Sequence, residues 1–347
     1  MKIGVMTFHW ANNYGAVLQS YALTTHLRRN GHQAELINYI PRRAIWTMRF
    51  FDLYLKRFEN FKKIPIFKNF QKKLPLSPKA YYNHKDLLSA GGRYDAVITG
   101  SDQIWNESFL MTAEKTPTAS YYLDFVPPNV RRLSYAASFG TNEITENLRR
   151  YGVVHLKQFD AVSVRENNAV EMLAQEDIAA TSVCDPTLLL SAEDYASLVE
   201  KKPSDGKVDV FNFMLRTKRE SSTQSEAYVL DHCFKDSSHL GAKSITVGQW
   251  LWKLQHCDFV VTDSFHCTVF AILFHKPFLA VNDRNCSMNA RIKTLTQRLG
   301  LENRVIEEYD PVRIEQIVAD DNIDWNYADQ QRSRWAAEST RFLQENL

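Results

Sequence analysis

Short apolar runs alternate along this chain with longer segments in which apolar residues recur every three or four positions. The short runs read as buried strands, and the periodic segments read as helices packed on them. Lys2–Phe8 predicts a strand, and Gly15–Asn30 predicts a helix with Val17, Leu18, Tyr21, Ala22, Thr25 and Leu27 on or near one face. Gly31 is placed to end that helix in the left-handed conformation. Strands are predicted over Gln33–Tyr39, Asp95–Thr99, Arg132–Ser138, Asp160–Val164 and Thr181–Cys184, with helices over Ile144–Phe159 and Glu166–Gln175. A second set predicts strands over Val208–Leu215, Lys243–Val247, Phe259–Thr262 and Phe278–Val281. Its helices fall over Ser221–Lys235, Gln249–Gln255, Phe265–His275, Ala290–Leu299, Val312–Val318 and Ala328–Gln344.

Strands alternating with helices predict an α/β fold with mainly parallel sheets. At roughly 150 residues per domain, 347 residues suggest two Rossmann-like lobes. The charged stretch Lys201–Lys207 contains Pro and Gly and reads as the linker. The expected division is a first lobe over 1–200 with an insertion over about 41–93, a second lobe over 201–325, and a last helix over 326–347 that crosses back to the first lobe.

Net charge is +2, but residues 42–73 hold ten Lys/Arg against Asp52 and Glu59, a local +8 that leaves the rest at −6. Trp46, Phe50, Phe51, Tyr54, Phe58, Phe61, Phe67 and Phe70 lie in the same stretch. Cations mixed with aromatics suggest a surface partner, and an anionic membrane face is one such partner. A packed insertion and a grip on an acidic glycan are the alternatives. No apolar run approaches the roughly 18 residues of a spanning helix, and MKIGVMTF lacks a signal-peptide layout. Five cysteines without C-x-x-C spacing argue against a disulfide framework or a structural zinc site. The expectation is a cytoplasmic protein, peripheral to the inner membrane through 42–73, with no nucleic-acid partner.

Ligands of open α/β sheets bind beyond the carboxyl ends of the strands, so the loops there carry the candidate chemistry. After the first strand comes His9-Trp10-Ala11-Asn12-Asn13-Tyr14-Gly15, where Asn12, Asn13 and Gly15 allow a tight turn into a helix. It is not a G-x-G-x-x-G fingerprint, so a dinucleotide is not supported. Gly100, Ser101 and Asp102 end another strand, where small residues admit a ligand and the polar pair suits sugar hydroxyls; the plainer reading is an Asx turn. Arg165 stands where a strand meets a helix and suits a carboxylate or phosphate; by itself it reads equally as a salt bridge to a neighbouring acid. In Thr262-Asp263-Ser264-Phe265-His266, Asp263 is the expected N-cap, leaving the N–H groups of Ser264, Phe265 and His266 to an anion. A neutral His266 there can take a proton from a hydroxyl. Cys267 has no evident partner base and reads as a small apolar residue, while Arg291 opens a late helix and offers a second cation.

The segments HWANNYGAVLQSYAL, YDAVITGSDQIWN, LSYAASFG, FDAVSVRE, VCDPTLLL and DFVVTDSFHCTVFAILFHKPFLAV, in this order, resemble the polysaccharide pyruvyl transferase family. The resemblance implies a GT-B-like arrangement with the active site in the interlobe cleft near His266. It implies transfer of a pyruvyl group from phosphoenolpyruvate onto a sugar of a cell-surface or capsular polysaccharide precursor, with a glycan or lipid-linked oligosaccharide as acceptor. No metal or cofactor beyond that donor is called for. His266 and Arg165 match the family's histidine and arginine, and the Asn13/Gly15 and Gly100/Ser101/Asp102 loops match its first-lobe loops. The sequence lacks an Arg immediately before the histidine, and Arg291 or Arg216 is available to substitute. A GT-B-like glycosyltransferase using a nucleotide sugar and a non-catalytic glycan-binding protein are the alternatives.

Overall fold

The computed structural model describes residues 1–41, 58–113, 119–200, 208–215, 219–235, 237–241, 245–283 and 290–347. They form two compact units: Met1–Leu189 with Trp335–Leu347, and Leu190–Arg334. The linker expected at 201–207 lies outside the described residues.

In the first unit β1 (Lys2–Met6), β2 (Gln33–Leu36), β3 (Ala96–Thr99) and β4 (Arg131–Ser134) form a parallel sheet in the order β2-β1-β3-β4. Parallel bridges Leu133↔Ala161 and Ala137↔Val164 carry it on toward β5 (Ser163–Val164), which pairs with β6 (Thr181–Ser182). Every residue of β3 is buried, as expected of a short apolar run covered on both faces. Helix α1 (Tyr14–Arg29) starts at Asn13, whose side chain accepts from Ala16 N, and Gly31 beyond its end has φ +84°. The apolar core of this unit includes Met6, Tyr39, Val97, Trp105, Tyr121 and Leu173.

Helix α2 (Phe58–Gln71) belongs to the basic segment. Its Phe67 and Phe70 are buried, Phe67 lies 5.0 Å from Tyr14 ring to ring, and Lys68, Lys72 and Lys73 are exposed. This part of the segment packs on the unit and turns its cations to water. Trp46, Phe50 and Tyr54 lie outside the described residues. Helices α3 (Glu107–Ala113) and α4 (Asn167–Ala174) follow β3 and β5. The continuous helix expected over 144–159 is interrupted: Glu146–Leu148 and Val154–Leu156 flank a π-helical turn, Arg149–Val153. Gly152 in that turn lies so close to the buried Tyr122 ring that a Cβ would sit 2.5 Å from it.

In the second unit β7 (Val210–Phe213), β8 (His239–Gly241), β9 (Phe259–Thr262), β10 (Phe278–Val281) and β11 (Val305–Ile306) form a parallel sheet, ordered β11-β10-β9-β7-β8. Its helices are α5 (Glu220–Tyr228), α6 (Val247–His256), α7 (Phe265–Leu273), α8 (Ala290–Leu299) and α9 (Pro311–Ala319). The strand expected over Lys243–Val247 is corrected. Val247 opens α6, because Thr246 and Gln249 form a capping box, each side chain accepting from the other's backbone N–H at 3.1 Å. The last helix, α10 (Trp325–Asn346), belongs to the first unit from Trp335 onward, where Ser339 Oγ accepts from Cys184 N at 2.9 Å. No helix among the described residues is long and apolar enough to cross a membrane.

Candidate active site

In a parallel open sheet the strand-end loops part where the strand order reverses, and ligands settle in that opening. The reversal falls between β1 and β3 in the first unit and between β7 and β9 in the second. The expected site loops follow three of these four strands: His9–Gly15 after β1, Gly100–Asp102 after β3, and Asp263–His266 after β9.

The first-unit loops are tied by a buried polar network. Thr7 Oγ1 donates to Ser101 O at 3.0 Å, and Gln19 Nε2, from within α1, donates to Thr7 Oγ1 at 2.8 Å. Ser101 N donates to Gln19 Oε1 at 3.2 Å. Asn12 and Asn13 are exposed, while Gly15 is buried in the first turn of α1. Gly100 has φ +127°, and a Cβ there would lie 2.1 Å from Tyr135 O, so only glycine fits. Ser101 Oγ lies 3.1 Å from both Ala136 O and Asp185 Oδ2. Asp102, with φ +76°, accepts from Gln103 N at 2.8 Å, a bond to the next residue and not the bond two residues on that makes an Asx turn.

Arg165 turns inward. It is 1% exposed, and its Nη1 lies 2.7 Å from Asp185 Oδ2, with Glu166 and Asp102 oxygens at 3.9 and 4.0 Å from the same guanidinium. Burial works against its charge, but Asp185, Glu166 and Asp102 hold its pKa above the ordinary value. Asp185 Oδ1 accepts from Thr187 N and Oγ1, so both carboxylate oxygens are engaged. Glu166 accepts a hydrogen bond from Ser138 Oγ. His9 is also buried, its Nδ1 3.2 Å from Thr7 O, and burial pushes its pKa down to about 4, so it is neutral.

In the second unit the expected cap is corrected by one residue. Asp263 points away from α7, its Oδ1 accepting from Leu215 N at 2.6 Å and its Oδ2 3.5 Å from Ser222 Oγ. Ser264 is the N-cap, its Oγ accepting from Cys267 N at 3.4 Å. Ser264 N donates to Thr262 Oγ1 at 3.0 Å, so that N–H is spent within the turn. Helix α7 therefore starts at Phe265, and His266, 8% exposed, is its second residue. Arg291 of α8 stacks over Phe265, its Cζ 5.8 Å from the ring centroid, and the Phe265 and His266 rings meet edge-on at 5.1 Å. Burial pushes the Cys267 thiol far up, which leaves it no thiolate for nucleophilic chemistry. Arg219 Nη1 lies 3.5 Å from Asp283 Oδ2, joining the chain after β7 to the chain after β10. Arg216 lies outside the described residues.

The fold thus gathers Ser101, Asp102 and Arg165 in one unit, and Ser264, Phe265, His266 and Arg291 in the other. Sequence reasoning missed Asp185, Gln19 and the loop-holding role of Asp263. Asp185, next to Pro186, carries no signal of its own in the sequence, and the usable signal for Gln19 is a polar side chain between the apolar Leu18 and Ala22 on the buried side of α1.

Two all-parallel sheets with polar loops at their switch points define a two-lobed, Rossmann-like, GT-B-like protein. The family model for polysaccharide pyruvyl transferase matches residues 13–285. The chain belongs to that family, and it is a transferase. No curated protein matches it in sequence. Among solved structures it is similar to the UDP-GlcNAc 2-epimerase from Neisseria meningitidis bound to UDP-GlcNAc, at 10% identity and TM-score 0.54, with all of each chain covered. It is similar to the epimerase from Methanocaldococcus jannaschii at 11% identity and TM-score 0.52, covering 98% of this chain and 100% of that one. The Rickettsia bellii epimerase matches at 8% identity and TM-score 0.54, covering 99% and 96%. At such identities the likeness is one of fold.

Proposed function

We propose that the protein transfers a pyruvyl group from phosphoenolpyruvate to a sugar of a cell-surface polysaccharide precursor. The observation that carries this reading is the second-unit switch point, where His266 stands in the first turn of α7 with Arg291 stacked beside it on Phe265. A donor bearing carboxylate and phosphate calls for a cation and a helix amino end, and both occur there. A sugar hydroxyl adds its oxygen to the enol carbon while the methylene carbon takes a proton. The carbon–oxygen bond to phosphate then breaks, and a second hydroxyl closes the ketal with loss of its proton. His266 accepts the hydroxyl proton or delivers one to the methylene carbon. No cofactor beyond the donor is needed. Arg165, engaged with Asp185, acts in this reading by positioning the Ser101–Asp102 loop. The acceptor is a glycan or lipid-linked oligosaccharide at the cytoplasmic face of the membrane, with residues 42–73 supplying peripheral contact.

A second reading, glycosyl transfer from a nucleotide sugar, is favoured by the likeness in fold to the Neisseria meningitidis epimerase, whose structure holds UDP-GlcNAc. Calorimetry with phosphoenolpyruvate and with UDP-GlcNAc separates the two. Phosphoenolpyruvate is expected to bind, and UDP-GlcNAc is not. The acceptor should gain the mass of a pyruvyl ketal, and His266→Ala should lower turnover by about 10²–10⁴-fold with the fold intact. Binding of UDP-GlcNAc alone would overturn the proposal, as would near-normal turnover of the variant overturn the role of His266.

A further inference from the structure

We infer that Trp10 and Phe109 form a platform on which a neutral pyranose ring stacks, a binding site for the glycan at the carboxyl edge of the first sheet. The inference deepens the transfer reading, since the glycan held there is the acceptor of that reaction.

Trp10 lies in the loop after β1, and Phe109 lies on α3, just after the loop that follows β3. These are the two loops of the first unit's switch point. Phe109 is 47% exposed. One exposed phenylalanine would mean little by itself. Here Phe8 joins it to Trp10, with ring centroids 6.3 Å from Phe109 and 5.9 Å from Trp10, both edge-on. Trp10 packs on the core yet stays partly exposed. Its Nε1 donates inward to Tyr121 OH at 3.2 Å, and Ala11 N donates to Phe8 O at 3.0 Å to close the turn. The indole is therefore held in place before any ligand arrives, which lowers the entropic cost of binding.

Charge decides which partner suits these rings. Residues 7–15 and 100–110 contain no Lys or Arg, and their acids are Asp102 and Glu107. Glu107 is engaged, its two oxygens accepting from Thr145 Oγ1 at 2.7 Å and Asn147 Nδ2 at 2.8 Å. An anionic lipid or a phosphate finds no cation in these loops. The exposed polar groups beside the rings include the neutral amides Asn12 and Asn13, the Asn13 oxygen accepting from Ala16 N at 3.3 Å; Asn106, half-buried, is engaged with Gln103 Oε1 and Ser108 N. Amides both donate to and accept from hydroxyls. A pyranose presents weakly positive C–H bonds on its faces and hydroxyls around its rim, which match the negative faces of aromatic rings and an amide surround.

The test uses the full-length protein, saturation-transfer NMR and titration with methyl glycosides of the common hexoses and N-acetylhexosamines. At least one glycoside should bind, with saturation strongest on the C–H protons of one face. Phe109→Ala should weaken it on the order of tenfold, the effect of exposing one stacked apolar face, and Phe109→Trp should restore it. Because the ring is exposed, the thermal melt of Phe109→Ala should match the parent. The inference fails if no glycoside binds, or if Phe109→Ala binds as the parent does. It also fails if Phe109→Ala instead loses affinity for lipid vesicles while glycoside binding is unchanged. Phosphoenolpyruvate titrated in parallel keeps the two proposals apart. Donor binding with an indifferent Phe109→Ala would remove the platform alone, and a responsive Phe109→Ala without donor binding would remove pyruvyl transfer alone.

Discussion

Arg165 and Asp185 meet at 2.7 Å, neither side chain reaching solvent, and Ser101 Oγ lies 3.1 Å from the same carboxylate oxygen. The arginine that follows β5 and the serine that follows β3 are thereby fixed to one acid that follows β6. Removing one partner of a buried pair strands the other charge, at a cost of about 3–5 kcal/mol. Arg165→Ala is expected to lower the urea midpoint by a corresponding amount, with donor affinity lost only as far as the fold is lost. A variant with parental stability but weakened phosphoenolpyruvate binding would instead place Arg165 in the donor site.

Gly100→Ala should be among the most damaging single substitutions in the first unit. Its Cβ would meet Tyr135 O at 2.1 Å, and φ +127° is strained for any L side chain. The expected loss is at least about 3 kcal/mol, read as a lowered melting temperature or loss of soluble expression. Gly92 is the control, since a Cβ there meets nothing closer than Pro127 Cγ at 4.0 Å.

Stability should fall as the solution is acidified from about pH 6.5 toward pH 4, and His9 should account for part of the fall. Burial depresses its folded pKa to about 4, from 6.5 when unfolded. Between those values the unfolded chain binds more protons, so its stabilisation is complete above pH 6.5 and is lost as pH drops through the window. A shift of this size corresponds to on the order of 3 kcal/mol. His26, depressed to about 4 by burial and by Arg29, adds a slope of the same sign. Urea midpoints measured from pH 7 to pH 4 should therefore decline less steeply in His9→Gln than in the parent, and equal slopes would remove His9 as a contributor.

Residues 42–73 should draw the protein to anionic vesicles, with ten cations set against two acids. Each charge near an anionic surface is worth about 1 kcal/mol. Phe67 and Phe70 are buried within the unit, so insertion of these two rings is not expected. Co-sedimentation with anionic but not neutral vesicles should disappear at high salt and in a Lys56/Arg57/Lys62/Lys63→Glu variant. No sedimentation with either vesicle type would leave a packed insertion or a grip on an acidic acceptor.

The sequence by itself determined the alternation of strands and helices, and with it the parallel sheets. Phe259–Thr262 and Phe278–Val281 have the bounds their apolar runs indicate. Local chemistry suffices there, because a run of buried apolar residues has one low-energy environment wherever the chain goes. The ordered motifs also carried the family. Only the tertiary structure decided what the polar residues do. Asp263 lies next to Ser264 in sequence, yet its carboxylate serves Leu215, 48 residues away, so the cap passes to Ser264. Arg165 could face a ligand or an acid, and the packing of β6 beside β5 brought Asp185 to it from 20 residues on. Gln19 became a tie to Ser101 because β3 pairs beside β1. A buried charge or amide must be matched by a partner, and which partner arrives depends on strand order, which no local pattern encodes.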